Sequence, residues 1–209
     1  MPSLLTGECP MAVKRALISV YDKTGLPQLA AALGGFGAEI VSSGGTAKAI
    51  KGLGYPKLTE VSDYTGFPES PGGLLKTLHP KVHGGLLLSR DNPEHRAYME
   101  VHGVEPFQLV VVNLYPFEAA VSKGAGLLEA AENIDIGGPT MIRSAAKAAL
   151  LYGSVGVVTD SSQYPEIISA LKDGAGELPA ALKRSLAERA FKRTSAYDAA
   201  ITAYLERHK

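Results

Sequence analysis

Two short apolar runs constrain the fold more than any other feature of the sequence. Arg15–Val20 (RALISV) is apolar after its first residue apart from one serine, and Leu109–Asn113 (LVVVN) is apolar up to its final asparagine. A strand with one wet face alternates apolar and polar residues. A strand buried on both faces does not, and such strands belong to parallel sheets covered by helices on both sides. The remaining pattern fits that scheme. Strands are expected at Glu39–Ser42, Lys57–Val61, Gly84–Leu88 and Val155–Thr159, and helices at Leu26–Leu33, Ala47–Leu53, Pro93–His102, Gln163–Lys172 and about Leu178–Arg207. This alternation implies βαβ units, hence a three-layer α/β protein with a mainly parallel sheet and closing C-terminal helices. Ligands of such sheets bind beyond the carboxyl ends of the strands. Residues 62–82, crowded with Gly and Pro, are too long for a routine connection and are expected to form a functional loop.

A chain of 209 residues can bury a sizeable core, and 45% hydrophobic with 20% charged residues is ordinary for a globular protein. Twenty-one basic residues balance twenty-one acidic ones, which speaks against recruitment by nucleic acid or a membrane surface. No apolar run reaches the roughly 18 residues of a membrane helix, and the single cysteine, Cys9, suits a reducing cytoplasm. Residues 1–13 lack the layout of a signal peptide. They read as an N-terminal extension, with Met11 an alternative start, to a domain spanning 14–209.

Polar clusters fall where the strands end. Ser19–Gly25 (SVYDKTG) follows the first strand, and Ser42–Thr46 (SSGGT) follows the second and leads into a helix. The glycine N–H groups and the helix N terminus form a candidate anion site, with Lys23 as counter-charge. A tight turn with ordinary helix caps is the competing reading. Neither GxGxxG nor GxxxxGK[ST] occurs. Lys76–Gly85 (KTLHPKVHGG) holds two lysines and two histidines. His79 and His83 are four apart, but Pro80 and the glycines argue against a regular helix and no carboxylate is near in sequence, so no metal is expected. Asn113 and Tyr115 emerge from the end of the LVVV strand, whereas Phe117 is expected in the core. Asn133–Thr140 (NIDIGGPT) places Asp135 just outside a helix N terminus, and Arg143 and Lys147 share one side of that helix.

Taken in order, SVYDKTG, SSGGTAK, EVSDYTGFPE, KTLHPKVHGG, VVVNLYPF and NIDIGGPTMIRSAAK resemble the motifs of the IMP cyclohydrolase domain, the N-terminal part of the bifunctional PurH proteins of purine biosynthesis. The resemblance runs from about Lys14 to the end of the chain, including RAFKRTSAYDAAITAYL. It implies a methylglyoxal-synthase-like fold and dehydrative closure of 5-formamidoimidazole-4-carboxamide ribonucleotide to IMP, with no cofactor or metal. By the same resemblance Ser19, Lys23, Ser43, Gly45 and Thr46 hold the nucleotide and its phosphate. Thr77, Asn113 and Gly137 match ligand contacts, and Lys76, Tyr115, Asp135 and Lys147 match the catalytic positions. A cytoplasmic homodimer is implied as well.

Those residue types suit the reaction. A weakly nucleophilic carboxamide nitrogen attacks a formyl carbon, so a proton leaves nitrogen while negative charge grows on oxygen. Asp135 is a reasonable base, and Lys76, Lys147 or Tyr115 can stabilise the oxyanion and assist loss of water. The chain departs from the family in three ways. Leu74 stands where the family has arginine, Ala148-Ala149 follow Lys147 where the family has polar residues, and the transformylase part lies outside these 209 residues. Formyl transfer is therefore expected from a separate formyltransferase, unless the chain is an excised domain. A methylglyoxal-synthase-like lyase and a phosphate-ligand-sensing module remain as alternatives on the same fold.

Overall fold

The computed structural model describes residues 12–115, 117–122 and 124–208. Most of the expected N-terminal extension, including Cys9 and Met11, lies outside the described residues. Val13 is part of the packed domain: it is buried, and its N–H donates to the Gly176 carbonyl at 2.8 Å.

The elements run β1 (Arg15–Val20), α1 (Leu26–Gly35), β2 (Glu39–Ser42), α2 (Gly44–Gly52), β3 (Leu58–Glu60), α3 (Val61–Thr65), α4 (Pro80–Leu87), α5 (Pro93–His102) and β4 (Leu109–Asn113). The chain continues through α6 (Phe117–Ser122), α7 (Leu127–Glu132), α8 (Gly137–Tyr152), β5 (Gly156–Val158), α9 (Tyr164–Asp173) and α10 (Ala180–Arg207). The five strands form one all-parallel sheet of order β3-β2-β1-β4-β5. The two apolar runs stand at its centre. Ala16, Leu17 and Ile18 of β1 and Leu109, Val110, Val111 and Val112 of β4 are all essentially inaccessible. Helices flank the sheet, with α8 and α10 packed on β5 and on one another, α8 also on β4, α4 against α8, and α1 against α2 and α9. Among the described residues no helix is long and apolar enough to cross a membrane.

Three expectations need correction. Gly84–Leu88 is not a strand, since Gly84 to Leu87 form the second half of α4. Pro80 sits in the first turn, where its missing N–H costs nothing, and the His79 Nδ1 accepts the Lys81 N–H at 3.1 Å as a cap. The glycines there serve close packing: a Cβ on Gly85 would collide with the Glu105 carbonyl oxygen and lie 3.0 Å from the Phe107 ring. The Gly-Gly of SSGGT likewise opens α2 rather than preceding it, so that helix begins at Gly44 and not Ala47. Residues 62–82 are not one loop, since they contain most of α3, a single 3-10 turn at Pro71–Gly73 and the start of α4.

Gly85→Ala is expected to destabilise the protein by about 1–3 kcal/mol, because backbone rather than a flexible side chain must move. A urea titration showing an unchanged midpoint would contradict this packing.

Candidate functional site

A cavity of about 390 Å³ opens at the carboxyl edge of the sheet. Ser19 and Val20 reach it from β1, Val112 and Asn113 from β4, and Ser43, Gly45 and Thr46 from the start of α2. Lys76 and Thr77 close a second side, and Asp135, Gly137 and Gly138 bring in the start of α8. Two helix N termini therefore meet one pocket, and both favour negative charge there.

The β1 edge is locked before any ligand arrives. Thr46 Oγ1 accepts the Val20 N–H at 3.1 Å and donates to the Val20 carbonyl at 2.9 Å. Asn113 Oδ1 accepts from the Tyr21 and Asp22 N–H groups at 2.6 and 3.1 Å, while its Nδ2 donates to the Asp22 carbonyl at 2.8 Å. Thr46 and Asn113, both expected to contact ligand, thus spend their polar atoms mainly on shaping the wall. Ser43 differs. It occupies the N-cap position of α2 without capping it, and its buried Oγ has no partner among the described residues. That favours the anion-site reading of SSGGT over an ordinary cap.

Two ammonium groups approach this cradle. Lys23 Nζ lies 3.9 Å from where a Cβ on Gly45 would stand, and Lys76 Nζ lies 3.2 Å from the corresponding point on Gly44. Gly44 also has φ of 55°, so a side chain there would be strained as well as crowded.

Asp135 faces them from the other side. Its Oδ1 accepts the Gly138 N–H at 2.8 Å, and its own N–H donates to Tyr197 Oη at 2.9 Å. Burial pushes its carboxyl above the usual range, opposed by N–H groups of Gly138 and Tyr115 and by the charge of Lys76. Glycine is required beside it, since a Cβ on Gly137 would stand 2.6 Å from Thr77 Oγ1. Tyr115 is half-exposed at the rim, edge-on to Tyr21 with ring centroids 5.4 Å apart.

Eleven of the twelve expected site residues line the cavity: Ser19, Lys23, Ser43, Gly45, Thr46, Lys76, Thr77, Asn113, Tyr115, Asp135 and Gly137. Lys147 is not among the lining residues; it is exposed on α8, ten residues beyond Gly137. A helix advances about 1.5 Å per residue, which puts Lys147 roughly 15 Å along the axis from that end. Arg143 also lies away from the cavity, its guanidinium 5.5 Å from the Phe191 ring centre. Tyr21 and Glu132 line the cavity although neither is an expected ligand contact, and Leu74 lines it at the position where the family has a ligand-side arginine. For Tyr21 a signal exists, because it stands just past a strand end between Ser19 and Lys23. His79 caps α4 and His83 Nδ1 lies 3.1 Å from Ser144 Oγ, so the two imidazoles serve different contacts. Phe117 is in the core, as expected.

The sheet order and the cavity at its carboxyl edge, met by two helix N termini, define an α/β domain with a polar pocket at its strand ends. The chain belongs to the MGS-like domain family, which matches residues 25–140. Residues 145–209 match a second family, described as AICARFT/IMPCHase bienzyme. The bifunctional purine biosynthesis protein PurH of Bradyrhizobium diazoefficiens is 52% identical over 198 residues, covering 95% of this chain and 37% of that protein. The PurH of Parvibaculum lavamentivorans is 54% identical over 190 residues, covering 91% and 34%. The chain therefore spans little more than a third of these relatives. Among solved structures, the crystal structure of ForH matches with a TM-score of 0.76 at 28% identity, covering 93% of this chain and 100% of that one.

Two outcomes are expected of variants here. Ser43→Ala should weaken phosphate binding about tenfold in calorimetry while leaving stability within about 0.5 kcal/mol, since no described residue is hydrogen-bonded to the hydroxyl. Asp135→Asn should raise the melting temperature near neutral pH. A carboxyl whose folded pKa is raised favours folding only while protonated, so wild type loses that contribution as pH climbs through the raised value. The advantage of the variant should fade below the ordinary pKa of 3.8.

Proposed function

We propose that this domain is an IMP cyclohydrolase, closing 5-formamidoimidazole-4-carboxamide ribonucleotide to IMP with loss of water. One observation carries the reading: an anion cradle and a carboxyl raised by burial face each other across a single cavity, with Lys76 between them. The volume of about 390 Å³ suits a small-molecule ligand. Ser43, the α2 N terminus and Lys23 take the phosphate, which fixes the base over Asp135. Asp135 accepts the proton from the carboxamide nitrogen as it attacks the formyl carbon. Lys76 and Tyr115 stabilise the oxygen as it becomes negative. It then leaves as water, carrying one proton that came from the carboxamide nitrogen and one released by the formamido nitrogen, which forms a C=N bond as the C–O bond breaks. Because both reacting groups belong to one molecule, holding them in contact supplies much of the rate.

The reading takes the protein to be a cytoplasmic homodimer supplied by a formyltransferase. Lys147, remote from its own cavity, would then serve the cavity of the second copy. The apolar groove beside it, lined by Leu150 and Phe191, supports such a contact.

Ultraviolet-monitored turnover of the formylated ribonucleotide tests the activity. Lys76→Ala, Asp135→Asn and Lys147→Ala should each lower kcat by about a hundredfold or more. The acid limb of the wild-type profile should lie above the ordinary carboxylate range, as the raised pKa of Asp135 requires. Mixing the Asp135→Asn and Lys147→Ala proteins should restore activity, because a mixed dimer contains one intact site. Folded wild type that binds the nucleotide without converting it would favour the sensing module instead.

A further inference from the structure

Lys76 has a partner outside the cavity. Glu69 Oε1 lies 3.8 Å from Lys76 Nζ, and both head groups pass over Gly73, at 2.9 and 3.4 Å from where its Cβ would stand. The turn between them holds this arrangement: the Gly73 N–H donates to the Ser70 carbonyl at 2.8 Å and the Leu75 N–H to Ser70 Oγ at 3.1 Å. Gly72 and Gly73, with φ of 69° and 68°, supply the reversal. Lys76 thus lies among three anionic poles: Glu69 at the rim, Asp135 within the cavity, and the anion that the Gly44–Gly45 cradle receives.

We propose that Glu69 is a positioning residue that restrains the Lys76 ammonium from collapsing onto the phosphate cradle. Lysine is a flexible point charge, and its ammonium already lies close to Gly44. A bound phosphate dianion would draw it further. There it would strengthen ground-state binding without serving the reacting oxygen, and uniform binding of that kind does not raise kcat. Glu69 supplies the opposing pull. The pair is partly exposed, so its effect is moderate and weakens with salt.

The inference rests on the cyclohydrolase reading for its kinetic arm alone. Glu69→Gln is expected to lower KM about three- to fivefold and lower kcat by a similar factor, with Glu69→Asp recovering part of the kcat. Inorganic phosphate should bind Glu69→Gln about threefold more tightly than wild type at low salt, and the difference should shrink at high salt. A merely structural defect would raise KM and weaken phosphate binding. That result, or unchanged values in both measurements, overturns the proposal. Absence of turnover in wild type would sink the cyclohydrolase reading, while the phosphate measurement would still decide the role of Glu69.

Discussion

The pocket depends on the carboxyl end of β1. This strand pairs in parallel with β2 on one side and β4 on the other, so three chain segments leave the sheet at one edge. Its last residue, Val20, has both main-chain polar groups bonded to Thr46 Oγ1 at the start of α2. On the opposite flank Asn113 ties the residues after Val20 to the end of β4. The first turn of α2 lines the cavity beside this edge, and Ser43, which also lines it, has a buried hydroxyl with no partner among the described residues. A rigid polar wall with unmet hydrogen-bonding capacity is what a preorganised anion site requires.

The second wall is organised by close approach. Gly137 and Gly138 let α8 start against Thr77, Leu114 and the Asp135 carboxylate, where any side chain would intrude. Asp135 is bonded to the helix it precedes, and its main chain is anchored by Tyr197 from α10. The C-terminal helix therefore supports the pocket from behind while contributing nothing to its lining. Desolvation of Asp135 disfavours its charged form, and the nearby N–H groups and Lys76 offset only part of that effect. A carboxyl so placed costs some stability whenever it is ionised.

Much of this organisation is legible in the sequence. Nearly unbroken apolar strands require a parallel sheet with both faces covered, and a parallel sheet gathers its strand ends on one edge. The motifs after β1, β2 and β4 therefore have to converge, because strand polarity leaves them nowhere else to go. The roles within the pocket depend on contacts between residues far apart in the chain. Sequence places Thr46 and Asn113 at strand ends, but only the folded chain shows their polar atoms engaged with the β1 edge rather than left for a ligand. Pro80 and the glycines suggest an irregular segment, yet Pro80 begins a helix and Gly85 admits the Glu105 backbone. Helical phase and length carry Lys147 away from the cavity although sequence sets it only twelve residues from Asp135. Local pattern determines which elements form and which ends meet; the distances that assign each side chain a partner arise only when the elements pack.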